Sequence, residues 1–295
     1  MEEYKIYLQK KGYTETTIEN YIKQAQLFIK WCNRNHTTAI DIDYKDCLKY
    51  IRYLQRKNTT KKTVNHRLGR VKVYLNYLVE ENFKSENPIE NTTVKGSKRH
   101  INYNLLEADE LEDLYYSYQT ANIKDAYHRL TAKRDRIIVG LMVYQGLCTT
   151  NLKALEIEHI EVYKGKIYVP SHKKMNAREL ELKPWQVIEL LEYIKEIREE
   201  IKQRRNIESE RLLIPNNDRL SNTITNIIKK LKKTNHKAEN INQIRASVIT
   251  NWLGQYNLRK VQYLAGHRYI SSTERYLQDD LENLHEIVNN FHPIN

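Results

Sequence analysis

Cysteine is scarce in this chain, with only Cys32, Cys47 and Cys148 among 295 residues. Their odd number and wide spacing exclude a disulfide framework and a Cys-x-x-Cys metal site, and leave reduced thiols as the expectation. Glycine (8) and proline (5) are also few, so a largely helical chain with short connections is expected. No apolar run approaches the roughly 20 residues that a membrane span needs. The longest, Ile137 to Tyr144, reads as a core helix segment. The N-terminus begins Met1-Glu2-Glu3 without a following apolar stretch, so no secretory leader is expected and a cytoplasmic protein is. No Walker-type phosphate loop and no metal-ligand cluster is visible, and the expected cofactor complement is none.

What the chain has in excess is positive charge. Lys and Arg total 49 against 37 Asp and Glu, for a formal net charge of +12. Such a field attracts a polyanion, and without a membrane segment nucleic acid is the favoured partner. The length suits two modest domains. The first reads as a helical bundle running to about Asn82. One helix follows Tyr13-Thr14-Glu15-Thr16-Thr17 and buries Ile18, Ile22, Ala25, Ile29 and Cys32 at three-and-four spacing. Another follows Thr59-Thr60, with a core stripe of Val64, Leu68, Val71, Leu75 and Leu78. On its opposite side Lys62, His66 and Arg70 recur every fourth residue, either as a solvated face or as a helix laid along phosphates.

From Ser85 to His100 the periodicity stops, and Pro88, Gly96 and the basic pair Lys98 and Arg99 appear. We read this as an exposed linker, giving domains at 1–84 and 102–295 joined by 85–101, with Lys98 and Arg99 as further DNA contacts. The second domain opens with helices to Leu155. A strand pair then runs over Lys166 to Val169 and Arg178 to Leu182 through Ser171-His172-Lys173-Lys174-Met175-Asn176. Pro184 starts a helix where its missing N–H costs nothing. Everything after Leu220 reads as helical. The fold class is therefore mainly α, with a small antiparallel sheet in an α+β second domain.

The chemistry concentrates in Asn242-Gln243-Ile244-Arg245, then Leu264-Ala265-Gly266-His267, then Ser271-Ser272-Thr273-Glu274-Arg275-Tyr276. This order resembles the C-terminal half of tyrosine site-specific recombinases, the phage integrase family: a His/Lys-x-x-Arg box, Leu-x-Gly-His, and Thr-x-x-Tyr ending in the nucleophile. Gln243 to Tyr276 is similar to integrases of Bacteroidetes mobile elements and chromosomes. Gly12 to Tyr21 is similar to the opening of the family's core-binding domain, so the resemblance covers nearly the whole chain. It implies cleavage and rejoining of DNA through a 3′-phosphotyrosine on Tyr276, leading to integration, excision or inversion. It also implies four protomers on two duplex sites, a clamp around DNA, and no metal or ATP.

The residues support that chemistry independently. A phenol attacking a phosphodiester needs cations or donors on the non-bridging oxygens and a proton for the departing 5′ oxygen. A free tyrosine has a pKa near about 10 and needs a neighbouring cation or base. Arg245 and His267 supply that help, and a guanidinium clamps two phosphate oxygens at once. The hairpin offers Lys173 or Lys174, which the spacing does not separate. The tail from Asp280 carries Leu281, Leu284, Ile287 and Val288 at helical spacing, suited to docking on a neighbouring protomer or to packing at home.

Three positions in two boxes depart from the family pattern. Gly146-Leu147-Cys148-Thr149-Thr150-Asn151-Leu152 places Cys148 where the first arginine is expected and Asn151 where a glutamate is. Asn242 replaces the His or Lys of the second box, keeping an amide donor without charge. Arg136, on the helical face of Gly140, Val143 and Leu147, is the candidate replacement cation, with an ordinary ion pair as the competing reading. The alternative function is a weakened or inactive DNA-binding accessory protein of the same fold.

Overall fold

A computed structural model describes residues 1–57, 59–96, 104–172, 175–215 and 219–277. The chain divides into two compact units, Met1–His100 and Ile101–Asn295. Among the described residues no helix is long and apolar enough to cross a membrane.

The first unit is four helices, α1 (Glu2–Lys10), α2 (Glu15–Arg34), α3 (Tyr44–Gln55) and α4 (Lys61–Glu80). Their starts are set by short polar caps: Asp43 Oδ1 accepts from the Asp46 N–H at 2.8 Å, and Thr60 Oγ1 from the Thr63 N–H at 3.2 Å. The expected stripe Val64, Leu68, Val71, Leu75 and Leu78 is buried throughout. On α2 the buried groups include Phe28 and Trp31, while Ile22 and Ile29 are only partly buried. Aromatic rings dominate this core because Phe28, Trp31 and Tyr50 pack edge to face or tilted, with centroids 4.9 and 5.0 Å from Tyr50.

The segment expected as an exposed linker is exposed at most of its described residues but anchored at several points between Asn87 and Val94. Ile89 is fully buried in the core of the first unit. Asn65 on α4 exchanges hydrogen bonds with the Val94 backbone at 2.8 and 2.9 Å, and Lys72 Nζ donates to the Glu90 carbonyl at 2.6 Å. Loss of periodicity there reflects irregular chain pinned by side-chain amides. Lys98 and Arg99 lie outside the described residues.

The second unit surrounds α6 (Ala126–Val143), which α5 (Ala108–Tyr116) joins as the first helix of the unit. The continuous buried run Ile137 to Val143 explains its lack of a polar face. Next comes the short α7 (Thr149–Ala154), then a three-stranded antiparallel sheet in the order β1 (Ile160–Glu161), β2 (Lys166–Val169), β3 (Arg178–Glu181). Register pairs Ile167 with Leu180 and Val169 with Arg178. The core face therefore carries Ile167, Val169, Leu180 and, unexpectedly, Arg178. Pro184 begins α8 (Pro184–Glu192), which continues through one widened turn, Tyr193–Ile197, into α9 (Arg198–Arg205). α10 (Leu220–Thr234), α11 (Ile241–Gln255) and α12 (Leu258–Ala265) follow, and residues 271–277 are helical. The tail beyond residue 277 lies outside the described residues.

Candidate active site

The site is built where α11, the end of α12 and the sheet meet. Asn240 caps α11, its Oδ1 accepting from the backbone N–H groups of Asn242 and Gln243, each at 3.0 Å. One turn later Arg245 enters a stretch that is buried from Gln243 to Ile249. Its guanidinium donates to the Gly146 carbonyl and, at 2.6 Å, to the Ala265 carbonyl. It thereby ties the loop before α7 to the end of α12. These carbonyls neutralise no charge, and burial pushes the Arg245 pKa down, opposed by Cys148 and Tyr276.

The chain reaches His267 through a turn that only glycine adopts cheaply. Gly266 has φ +70°, and the N–H groups of Gly266 and His267 return to the Tyr263 and Gln262 carbonyls at 2.8 and 3.0 Å, closing α12. Nε2 of His267 faces Arg245 at 3.4 Å, and Nδ1 lies 2.9 Å from Thr273 Oγ1. Arginine has only donors, so Nε2 accepts and Nδ1 carries the proton toward Thr273. Burial, then Arg245 and Arg178, lower the imidazole pKa from 6.5 to about 4. His267 is therefore neutral at pH 7. Tyr276 stacks on it, with ring centroids 5.9 Å apart and planes within 5°. The Tyr276 side chain also hydrogen-bonds Arg245 and packs against Ile249, Val261 and Ala265.

Arg178 belongs to the same cluster. Its Nε donates to the Leu264 carbonyl at 2.8 Å, and only 2% of the residue is exposed. The hairpin that carries it is docked on the His267 turn, through the pairing of Met175 with His267 and a 2.9 Å bond from the Asn176 N–H to the Gly266 carbonyl.

Of the expected site residues, Arg245, His267 and Tyr276 come together. Lys173 and Lys174 lie outside the described residues, between His172 and Met175, whose backbones pair with each other. Asn242 is exposed in the first turn of α11. Arg136 does not join the cluster: its Nε is 3.0 Å from Glu189, and its guanidinium lies 4.6 Å from the Tyr115 ring centre. That ion pair corrects the expectation of a replacement cation. Cys148 starts α7, and its N–H and thiol both donate to Asn151 Oδ1, at 3.3 and 3.2 Å. These two departures, Cys148 and Asn151, thus contact each other, a helix cap standing where an arginine and a glutamate are expected. Arg178 was missed by the sequence reading, and Thr273, quoted there only within the Thr-x-x-Tyr motif, was given no role. Thr273 had a signal in its helical spacing to Tyr276, and Arg178 in its alternation with Leu180 and Leu182.

The profile described as "Phage integrase family" matches residues 104–283, and that of the "Phage integrase, N-terminal SAM-like domain" matches residues 1–82. The chain belongs to the phage integrase family. Among its curated relatives, the tyrosine recombinase XerC of Staphylococcus saprophyticus is 25% identical over 294 residues, covering 96% of this chain and 93% of that protein. The tyrosine recombinase XerD of Staphylococcus aureus is 22% identical over 298 residues, covering 99% and 98%. Among solved structures, XerH site-specific recombinase bound to a palindromic difH substrate superposes with TM-score 0.72 at 16% identity, over 92% of this chain and 79% of that one. A lambda integrase tetramer bound to a Holliday junction superposes with TM-score 0.61 at 16% identity, over 93% and 75%. These likenesses establish the integrase family and fold, and not the Bacteroidetes subgroup.

Proposed function

We propose that this integrase-family chain is a tyrosine recombinase that cleaves and rejoins duplex DNA at specific sites through a 3′-phosphotyrosine on Tyr276. The observation that carries the reading is the stacking of Tyr276 on a neutral His267 that shares a buried cluster with Arg245. In the proposed reaction the Tyr276 oxygen attacks the scissile phosphorus, its proton passes to His267, and the bond to the 5′ oxygen breaks. The hairpin lysine, Lys173 or Lys174, protonates that leaving oxygen. Arg245 holds the non-bridging oxygens. The phosphotyrosine conserves the bond energy, so rejoining needs no nucleotide.

Duplex binding would use Lys62, His66 and Arg70 on α4, of which Lys62 and His66 are exposed; none of the three is ion-paired among the described residues. Lys98 and Arg99 would extend that contact. A tetramer of four chains on two sites is the proposed assembly, and the outcome would be integration, excision or inversion. A nicked suicide duplex containing the recognition site tests the reading. Wild type should form a covalent adduct that Tyr276→Phe does not, while both bind the duplex equally. Equal binding with no adduct from wild type would instead support the accessory-protein reading.

A further inference from the structure

The second unit holds two buried guanidinium groups in one cluster, and they are satisfied differently. Arg245 has carbonyl partners for both terminal nitrogens. Arg178 uses only Nε, and its two terminal nitrogens are buried with no hydrogen-bond partner among the described residues. The groups that weigh most on its charge are Arg245, Cys148 and Tyr263, and no carboxylate is among them. Burial and the neighbouring Arg245 lower its pKa to about 10, so it stays charged at pH 7.

A buried cation without an anion is unfavourable, and proteins that fold around one normally supply a carboxylate. The same unit does so elsewhere: buried Arg134 is paired with Asp135. Among the described residues Arg178 has no such partner. Its position is also enforced, because it occupies the inward register of β3 opposite Val169, where the alternation calls for an apolar side chain. The turn above it is glycine for the same reason. A Cβ on Gly266 would overlap Arg178 Nη1 and lie 2.8 Å from its Cζ.

We propose that Arg178 is the second cation of the phosphate site, donating its free terminal nitrogens to the scissile phosphate beside Arg245, in place of the arginine that Cys148 displaces. The inference rests on the recombinase reading. The charge is stored unpaired in the DNA-free protein and matched when the phosphate arrives. Cys148 lies near enough to Arg178 and Arg245 to bias both charges.

The experiment compares wild type, Arg178→Met, Arg178→Lys and the double variant Cys148→Arg with Arg178→Met, using the suicide duplex and thermal unfolding with and without inorganic phosphate at matched ionic strength. Methionine fills a similar volume without charge, so Arg178→Met should unfold at the wild-type temperature or higher. Its rate of adduct formation should fall about 10²–10³-fold, as for loss of one transition-state donor. Phosphate should stabilise wild type beyond the matched chloride control, and Arg178→Met should lose that excess. Arg178→Lys, which keeps charge but not the fork, should fall at least about tenfold in rate. The Cys148→Arg change should recover at least about tenfold over Arg178→Met alone. A wild-type adduct rate in Arg178→Met, or in Arg178→Lys should the methionine variant not fold, overturns the assignment. So does a marked loss of thermal stability in Arg178→Met with an unchanged phosphate response. Failure of wild type itself to form an adduct would instead overturn the recombinase reading.

Discussion

Lowering the pH should unfold this protein partly through one imidazole. His267 has a folded pKa of about 4 against an ordinary 6.5, because burial and the two arginines oppose a third positive charge in the cluster. Between those values the unfolded chain binds the proton and the folded chain does not, so stability falls as pH drops from 6.5 toward 4 and is fully present above 6.5. At about 1.4 kcal/mol per tenfold the full difference is about 3 kcal/mol at most, reduced by screening at the exposed edge of the ring. For a unit of this size that corresponds to a shift in Tm of several degrees, at about 2–4 °C per kcal/mol. The assay compares Tm at pH 7 and pH 4.5 for wild type and His267→Gln. Glutamine carries no titrating group, so subtraction removes the shared effect of carboxylate protonation. Wild type should lose about 2 kcal/mol more than the variant over that interval. An imidazole titrating near 6.5 by NMR, with parallel pH dependence in the two proteins, would refute the reasoning. Inorganic phosphate should raise the His267 pKa, since an anion offsets both arginines.

Three further outcomes follow from the same geometry. Arg245→Lys keeps a cation but loses the fork that spans the Gly146 and Ala265 carbonyls; its adduct rate should fall about 10²–10³-fold with little change in duplex affinity, measured by single-turnover cleavage and gel shift. Gly266→Ala forces a methyl against Arg178 at φ +70°, and thermal or denaturant unfolding should show a loss of about 2–4 kcal/mol. Lys62→Ala and Arg70→Ala should each lower the slope of log affinity against log salt by about one, uniformly across duplex sequences; unchanged slopes would remove α4 from the duplex contact.

Much of the fold was legible because periodicity reports which face of an element is buried. The stripe from Val64 to Leu78 and the hairpin strands fall where the spacing puts them. Periodicity does not report what a face meets. Arg136 shares a helical face with Gly140, Val143 and Leu147, yet that face meets Glu189 and Tyr115. Within 85–101, local irregularity read as an exposed linker, whereas Asn65 and Lys72 hold residues 90–94 by bonds to distant backbone. Tyr276, His267 and Arg245 were found as a motif. Arg178 was passed over because a charged residue in a short strand reads as surface, although its alternation with Leu180 and Leu182 already turned it inward. Cys148 and Asn151 were legible as departures; that Cys148 donates twice to Asn151 Oδ1 was not.

The proposed reaction joins Tyr276 covalently to a DNA 3′ phosphate. Trapping wild type on a suicide duplex, digesting both polymers and sequencing the nucleotide-bearing peptide by mass spectrometry tests it most directly. One modified tyrosine is expected among the 22 in the chain, at position 276. A modification on any other tyrosine, or no covalent species from a protein that binds the duplex, contradicts it.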